Sequence, residues 1–205
     1  VGVYAYDGSY SLIQDTLFFG GPLPTQIVSG TAKSLAFFGD FNASLTDELR
    51  VNFGGRYTRD KKSINNTVGA FLGNPKASFK KFTPKISVDY RPNEDHLVYA
   101  SWSRGYRSGG FSNRAQTAVS TLAPYDSEVV DSYELGWKAA FADNRILFNV
   151  AAFYSDYKNL QQNTTIAALI GGIQSNETIV SNVGSSTVKG LEADLTIKPT
   201  KGLSL

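Results

Sequence analysis

The residues best suited to ligand chemistry fall between Ser101 and Arg114, in the stretch SWSRGYRSGGFSNR. Guanidinium groups and aromatic rings that converge there could hold an anionic chelate or a sugar, because an arginine fork donates paired hydrogen bonds. The alternative is a plain strand-to-loop junction, in which Gly109 and Gly110 turn the chain and the arginines pair with acidic groups. The candidate ligand-binding residues are Arg104, Tyr106, Arg107, Phe111 and Arg114.

Catalytic and metal-binding chemistry has few candidates in this sequence. The chain contains no cysteine, and its one histidine, His96, lies in a predicted turn, Asn93-Glu94-Asp95-His96, where simple solvation is favoured over a role in a site. The acidic pairs Asp47-Glu48 and Glu94-Asp95 also lie in predicted turns, and no serine-hydrolase, phosphate-loop or zinc-protease motif occurs. We therefore predict no enzymatic activity, no catalytic residue, no metal site and no cofactor.

The composition excludes two further classes. A net charge of +2 over 205 residues, without a dense basic patch, does not predict nucleic-acid binding. No apolar run reaches the roughly 18 residues that a membrane-spanning helix needs. If this chain crosses a membrane, it must do so with strands.

Alternation of apolar and polar residues with a period of two dominates the sequence and predicts β-strands. In the stretch Tyr133 to Tyr157, the apolar series Tyr133, Leu135 and Trp137 alternates with Glu134, Gly136 and Lys138. Only His96–Arg107 is ambiguous, because both of its faces carry apolar residues. Similar alternating series begin at Leu35, Leu49, Phe82, Ile146 and Leu191.

The connections between these strands alternate in length, which predicts a meander of hairpins. Short polar turns are expected at Thr46–Glu48, Arg91–Asp95, Ala142–Asn144 and Pro199–Gly202. Long polar loops are expected at Asp7–Thr31, Asp60–Ser78, Gly109–Asp126 and Asn159–Glu177, and no helix is predicted. The lysines that flank the second loop favour a solvated or lipopolysaccharide-facing rim over a ligand site; they are Lys61, Lys62, Lys76, Lys80 and Lys81.

Strand length and aromatic residues indicate which environment each face meets. A hydrocarbon band about 25 Å tall, crossed at roughly 45°, requires about 10 residues, and these alternating runs reach that length. A soluble sandwich with its apolar faces packed together is the alternative. We favour the membrane, with lipid-facing Leu135, Trp137, Phe141, Phe148 and Val150, and lumen-facing Glu134, Lys138, Glu192, Asp194 and Lys198.

Three segments carry a resemblance to a known family. SWSRGYRSGGF, YELGWKAAFADNRILFNVAAFYSDYKNLQ and NVGSSTVKGLEADLTIKP resemble the C-terminal barrel half of TonB-dependent outer-membrane receptors, in the order that the family shows. The hairpin FFGDFNASLTDELRVNFGGRYTRDKK is similar to the one that precedes them in that family. The resemblance implies an all-β fold, an antiparallel transmembrane β-barrel with up-and-down topology.

The resemblance also implies how much of the receptor is present. Such a barrel has 22 strands and an N-terminal plug, whereas about eight strands are expected here. We therefore expect residues 1–205 to form part of the barrel domain, without the plug, the segment that contacts TonB, or the closing strand.

The function implied by the resemblance is energy-coupled uptake of a scarce ligand at the bacterial outer membrane. A ferric siderophore is the favoured class, with cobalamin, haem and oligosaccharides left open. The implied partners are TonB and its inner-membrane motor, acting through the plug, and the bilayer with its lipopolysaccharide. A passive diffusion porin would show the same alternation and is the main alternative. An outer-membrane hydrolase is disfavoured by the position of His96.

Overall fold

Antiparallel strands form most of the chain. The computed structural model describes residues 1–15, 25–200 and 203–205, together with the backbone of residues 17–18 and 21–22. The elements are β1 (Gly2–Gln14), β2 (Leu17–Phe18), β3 (Gly21–Pro22), β4 (Gln26–Ser44), β5 (Leu49–Val68), β6 (Ala70–Gly73), β7 (Lys76–Asn93), β8 (His96–Arg107), α1 (Ala118–Leu122), β9 (Glu128–Phe141), β10 (Ile146–Lys158), β11 (Gln161–Ile170), β12 (Ile173–Asn182) and β13 (Ser185–Ile197).

One sheet organises the molecule. Its strands follow the order β1-β4-β5-β7-β8-β9-β10-β13, with β6 pairing beside β5, while β11 pairs separately with β12 and β2 with β3. Turns at 45–48, 94–95 and 142–145 lie at one end of the sheet, and the long connections lie at the other. The predicted up-and-down meander is confirmed. Among the described residues no pairing joins β1 to β13, so the sheet is an open part of a barrel wall.

Cross-strand register divides the side chains between two faces. We call the face that carries Leu135 and Trp137 the outer face, and the face that carries Glu134 and Lys138 the inner face. Directly paired residues share a face. Val98, Ala100 and Trp102 pair with Trp137, Leu135 and Tyr133, which assigns them to the outer face and settles the ambiguous strand.

The outer face is apolar and uncovered. Leu135, Phe37 and Leu195 are 58%, 54% and 56% exposed, and the rings of Trp137 and Phe148 pack edge to face along the surface, with their centres 5.7 Å apart. A soluble sandwich would bury these side chains against a second sheet. Most of the buried apolar residues lie instead at the long-loop end, among them Val28, Ile64, Val68 and Ala115, whereas Ala36 and Ala139 are buried within the sheet.

Three of the predicted loops are much shorter than the sequence suggested, and this expectation was wrong. β1 continues to Gln14 and β4 begins at Gln26; β5 continues to Val68, and β7 begins at Lys76. Asn159–Glu177 contains β11 and half of β12. These extensions are rich in Ser, Thr and Asn, and they pair without apolar alternation because both of their faces can be polar outside a bilayer. The predicted turn Pro199–Gly202 includes residues 201–202, which lie outside the described residues.

Two smaller expectations also need correction. Helix α1 was not predicted, because five residues are too few to show a helical period. His96 begins β8 and does not stand in a solvated turn: its ring stacks on Trp137 at 5.9 Å and meets Phe141 edge-on at 5.4 Å. No helix in the described part of the chain has the length and apolarity needed to span a membrane.

The pairing of β7 with β8 ends early towards the long-loop end. Its last pair is Lys85 with Ser103, and the next residue of β7 is Pro84, which has no N–H group to donate. Beyond this point β7 continues to pair with β5, and β8 continues to pair with β9. The two sides are bridged by side chains: Tyr106 Oη lies 3.2 Å from Asp60 Oδ2, and Lys62 Nζ lies 2.7 Å from the Gly109 carbonyl oxygen.

The two faces should differ in their tolerance of charge. In the full-length protein, Leu135→Asp or Phe148→Asp should sharply reduce membrane assembly, because a carboxylate among acyl chains costs on the order of 2 kcal/mol. Lys138→Asp and Asn149→Asp lie on the inner face of the same strands and should be tolerated. Heat-dependent gel migration of the outer-membrane fraction measures assembly. Equal tolerance on both faces would contradict this orientation.

Candidate ligand-binding mouth

The connection of residues 108–127 folds inward over the inner face of β4 and β5. Two buried amides hold it there. Gln26 Nε2 donates to the Ala115 carbonyl at 2.8 Å and to Asn66 Oδ1 at 3.1 Å. Asn66 Nδ2 donates to the same carbonyl at 2.6 Å and to Thr121 Oγ1 at 2.8 Å. Because buried polar groups are costly unless paired, these bonds fix the connection in one position.

Glu177 of β12 fixes the short helix α1. Its carboxylate is 2% exposed and accepts four hydrogen bonds. Oε2 accepts from the backbone N–H groups of Gln116 and Thr117 at 2.6 and 3.1 Å. Oε1 accepts from the Thr117 hydroxyl at 3.0 Å and from the Ser120 hydroxyl at 2.5 Å. One carboxylate therefore satisfies the start of α1, while Thr117 caps the helix by accepting from Ser120 N–H.

Further bonds join the connection to the β11–β12 hairpin along its length. Ser112 Oγ accepts from Val180 N–H at 2.8 Å. Asn182 accepts from Asp126 N–H at 2.7 Å and donates to the Asp126 carbonyl at 3.0 Å. Gln161 Nε2 donates to the same carbonyl at 2.9 Å. Residues 108–127 and 161–182 are thus one bonded structure, which we call the mouth unit.

A cavity of about 270 Å³ lies between the mouth unit and the inner face of β1, β4 and β5. We call it the mouth cavity. Aromatic rings, hydroxyl groups and one ammonium group line it; the lining includes Tyr10, Thr31, Lys62, Phe111, Asn113 and Tyr125. A larger concavity of about 590 Å³ lies on the hairpin between Ala167 and Asn176, but no charged side chain lines it.

Burial shifts the titration of the groups that line the mouth cavity. Desolvation lowers the pKa of Lys62. The negative charge of nearby Asp60 raises this pKa, and the positive charge of Arg107 lowers it. Burial raises the pKa values of Tyr10 and Tyr125, so both remain phenols at neutral pH. The cavity therefore presents hydroxyl donors, ring faces and a cation, with the charge of Arg107 nearby. This set suits an anionic ligand with planar groups.

The predicted ligand-binding residues fall in different places. Phe111 lines the mouth cavity, and Arg107 is an exposed residue on the inner face. The Tyr106 hydroxyl bonds to Asp60, and Arg114 is exposed on the mouth unit. Arg104 lies on the outer face, where Nε and Nη2 donate to the two Asp131 carboxylate oxygens at 2.8 Å each. The structure thus brings Arg107 and Phe111 near one site and commits Arg104 to another partner.

The predicted lumen-facing residues share the inner face. Tyr99 lies over Gly136, which has no Cβ to obstruct the ring, and its hydroxyl donates to Glu134 Oε1 at 2.5 Å. Lys138 Nζ lies 5.9 Å from the centre of the same ring. Asp194 is placed on this face by its pairing with Asn149, and Glu192 and Lys198 follow the same alternation. Farther along the wall, Lys85 and Asp40 form an ion pair at 2.7 Å.

Sequence reasoning missed the residues that build the mouth unit. Gln26, Asn66 and Glu177 fall in segments for which the sequence predicts loops, and their partners are 40 to 89 residues away in the chain. Tyr10 and Tyr125 were not considered as site residues. The one local signal was the Thr117–Ser120 spacing, which permits a helix cap.

Comparison with known proteins identifies similar chains. The family described as "TonB dependent receptor-like, beta-barrel" matches residues 2–204. The pesticin receptor of Yersinia enterocolitica is 30% identical over 169 residues, which make up 80% of this chain and 23% of that receptor. The ferric-pyoverdine 358 receptor of Pseudomonas putida is 27% identical over 159 residues, 74% of this chain and 18% of that receptor. The chain therefore spans about a quarter or less of these relatives.

Solved structures share the fold. The ferric yersiniabactin uptake receptor FyuA from Yersinia pestis superposes with a TM-score of 0.81 at 23% identity, over 98% of this chain and 30% of that one. The closed form of the ferric-catecholate import receptor Fiu from E. coli gives a TM-score of 0.67 at 15% identity, over 97% of this chain and 32% of that one.

Removal of the Glu177 charge should loosen the mouth unit. Glu177→Gln leaves one acceptor oxygen and places an NH₂ group opposite groups that are themselves donors. Backbone amide hydrogens of residues 112–123 should therefore exchange about tenfold faster or more. The inner-face variant Glu192→Gln carries the same change at an exposed position and serves as the control. Hydrogen exchange followed by mass spectrometry of the full-length protein measures both. Unchanged protection at 112–123 in Glu177→Gln would show that Glu177 does not hold the helix.

Proposed function

Because the chain belongs to the TonB-dependent receptor β-barrel family, we propose that the complete protein imports a ferric siderophore with energy delivered by TonB. The family consists of outer-membrane receptors, so the bacterial outer membrane is the location of this barrel wall. Among the relatives, the Pseudomonas putida protein is named for a ferric siderophore, ferric-pyoverdine. TonB and its inner-membrane motor would act through a plug domain elsewhere in the complete protein.

The mouth cavity is the observation that carries this proposal. It opens on the inner face beneath a mouth unit that buried hydrogen bonds hold in place, so its shape exists before a ligand arrives. Preorganisation of this kind lowers the entropy that binding must overcome. A volume of about 270 Å³ suits one arm or ring of a larger chelate rather than the whole molecule.

Charge favours an iron chelate over a neutral sugar. Lys62 is half-buried in the cavity wall, and Arg107 stands close enough to influence it. An anionic chelate would add negative charge beside these two cations, whereas a neutral oligosaccharide would not. Tyr10, Phe111 and Tyr125 offer ring faces to planar chelating groups.

The two faces of the wall take complementary roles in this proposal. Leu135, Trp137, Phe141, Phe148 and Val150 share the outer face and would contact acyl chains. Glu134, Lys138, Glu192, Asp194 and Lys198 would face the water-filled interior or the plug. Family membership does not favour a passive porin.

A substitution at Lys62 tests the cavity directly. Lys62→Gln removes the half-buried cation and should weaken binding of a ferric chelate to the full-length receptor about tenfold. Lys81→Gln, an inner-face lysine outside the cavity lining, is the matched control and should bind normally. Quenching of tryptophan fluorescence by ferric hydroxamate, catecholate and phenolate chelates measures affinity. Equal affinities in the two variants would remove Lys62 from the site.

Loss of the mouth unit should abolish capture without dismantling the wall. Replacement of Gly109–Asp126 by a short Gly-Ser linker should lower radioiron uptake at least about tenfold, because the cavity loses Phe111 and Tyr125 and the β11–β12 hairpin loses its partner. Heat-dependent migration should still report an assembled barrel. Unaltered uptake would exclude the mouth unit from capture, and uptake that persists without TonB would contradict energy coupling.

A further inference from the structure

Five basic side chains form a patch on the outer face of β4, β5 and β7, near the long-loop end. Exposure alternates there as the register requires: Arg59 and Lys61 are exposed, whereas Asp60 is buried and Lys62 is half-buried. We call this cluster the outer basic patch; its members are Lys33, Arg59, Lys61, Lys76 and Lys80.

Like charges stand directly opposite one another twice within the outer basic patch. Lys33 pairs with Lys61 across β4 and β5, and Arg59 pairs with Lys80 across β5 and β7. Side chains in such positions start about 5 Å apart, and like charges there destabilise a sheet. In the described residues Asp7 is the one acid in ion-pair contact with the patch, at 2.7 Å from Lys33 Nζ. Five cations against one carboxylate leave an excess of four positive charges.

On the same outer face, the corresponding region of β8, β9 and β10 carries ion pairs whose positive and negative charges balance. Arg104 pairs with both oxygens of Asp131, and Lys158 lies 3.5 Å from Asp156. Asp131 and Asp156 are direct cross-strand partners, so two like charges there are neutralised by two cations. The excess charge on β4, β5 and β7 is therefore a local feature of this outer face.

The outer basic patch begins where the apolar outer face ends. Arg59 is the next outward residue after Tyr57, and Lys80 precedes Phe82 by one outward step; Tyr57 and Phe82 are themselves paired. Two residues of strand rise about 7 Å. The headgroup region of a bilayer extends about 5–8 Å beyond the hydrocarbon on each side. With the aromatic pair at the hydrocarbon edge, Arg59 and Lys80 lie at headgroup depth, and Lys33, Lys61 and Lys76 lie two to three outward steps from that pair, above the headgroup layer.

We infer that the outer basic patch binds the phosphate groups of a phosphorylated glycolipid of the outer leaflet, lipopolysaccharide. This lipid meets both surfaces at once, since its acyl chains cover Tyr57 and Phe82 while its phosphates reach the cations. Ammonium and guanidinium groups form short, charge-assisted bonds with phosphate oxygens and relieve the like-charge pairs. Because the depth is measured from lipid-facing residues, this assignment rests on the membrane orientation in the proposed function.

Two double variants separate the faces. Lys61→Gln with Lys80→Gln removes two charges from the outer basic patch. Lys62→Gln with Lys81→Gln removes two charges from the adjacent positions of the same strands on the inner face.

The full-length receptor, purified in a neutral detergent, is titrated with bisphosphorylated lipid A and with dephosphorylated lipid A. At about 1 kcal/mol per cation, the outer pair should weaken binding of the phosphorylated lipid about 30-fold. The inner pair should change it by less than about twofold.

The unaltered receptor gives a test that does not depend on the variants. It should bind the phosphorylated lipid at least about tenfold more tightly than the dephosphorylated lipid, and equal affinities would overturn the inference. Equal losses in the two double variants would also overturn it, as would full competition by inorganic phosphate, which would indicate a site for a soluble anion. Radioiron uptake is measured in the strain that carries the unaltered receptor. A receptor that binds the phosphorylated lipid but imports no ferric chelate would refute the proposed function and leave the lipid site intact.

Discussion

The backbone hydrogen bond is the interaction on which this structure depends. Hydrocarbon offers no partner to an N–H or carbonyl group, so a strand that crosses a bilayer must bond to a strand on each side. An antiparallel ladder meets this need, and its geometry sends successive side chains to opposite faces. The apolar outer face and the polar inner face of the same strand both follow from that ladder. As a result, apolar side chains such as Phe37 and Leu135 are exposed, whereas polar side chains are buried at the long-loop end, which is the opposite of the pattern in a soluble protein.

The mouth unit follows a different rule from the wall that carries it. Its stability comes from buried hydrogen bonds, which Glu177, Asn66 and the Nε2 group of Gln26 each make to several partners. Within the described residues the Gln26 Oε1 atom has no such bond. Such networks specify one arrangement because a partial set leaves buried groups unpaired. A ligand that meets this surface finds donors and rings already placed by the wall on one side and by the mouth unit on the other. Recognition is therefore shared between a regular sheet and an irregular loop.

The sequence predicts the parts of this structure that a bilayer constrains. In Tyr133–Tyr157 one face must be apolar at every second residue, so alternation reports both the strand and its orientation. Above the bilayer this constraint disappears: Gln26 and Asn66 lie in strands that look like loops in the sequence, because these buried side chains are polar and bond to the mouth unit. The neighbours Lys61 and Lys62 appeared equivalent in sequence, and only the register separates them. Contacts such as Glu177 with Thr117 depend on chain segments 60 residues apart, for which local pattern holds no signal.

The early end of the β7–β8 ladder at Pro84 has a consequence for the ligand cavity. Beyond this residue, in the described chain, the part formed by β1, β4, β5 and β7 meets the part formed by β8, β9, β10 and β13 through side chains and the mouth unit. A change in the angle between the two parts would break no strand-to-strand backbone bond there. Lys62 belongs to the first part and bonds to the Gly109 carbonyl, while Gln26 and Asn66 of the same part bond to Ala115, which lies between Phe111 and Tyr125 in the chain. Side-chain bonds of this kind, and not a shared ladder, therefore set the distance between the cation and the rings of the cavity.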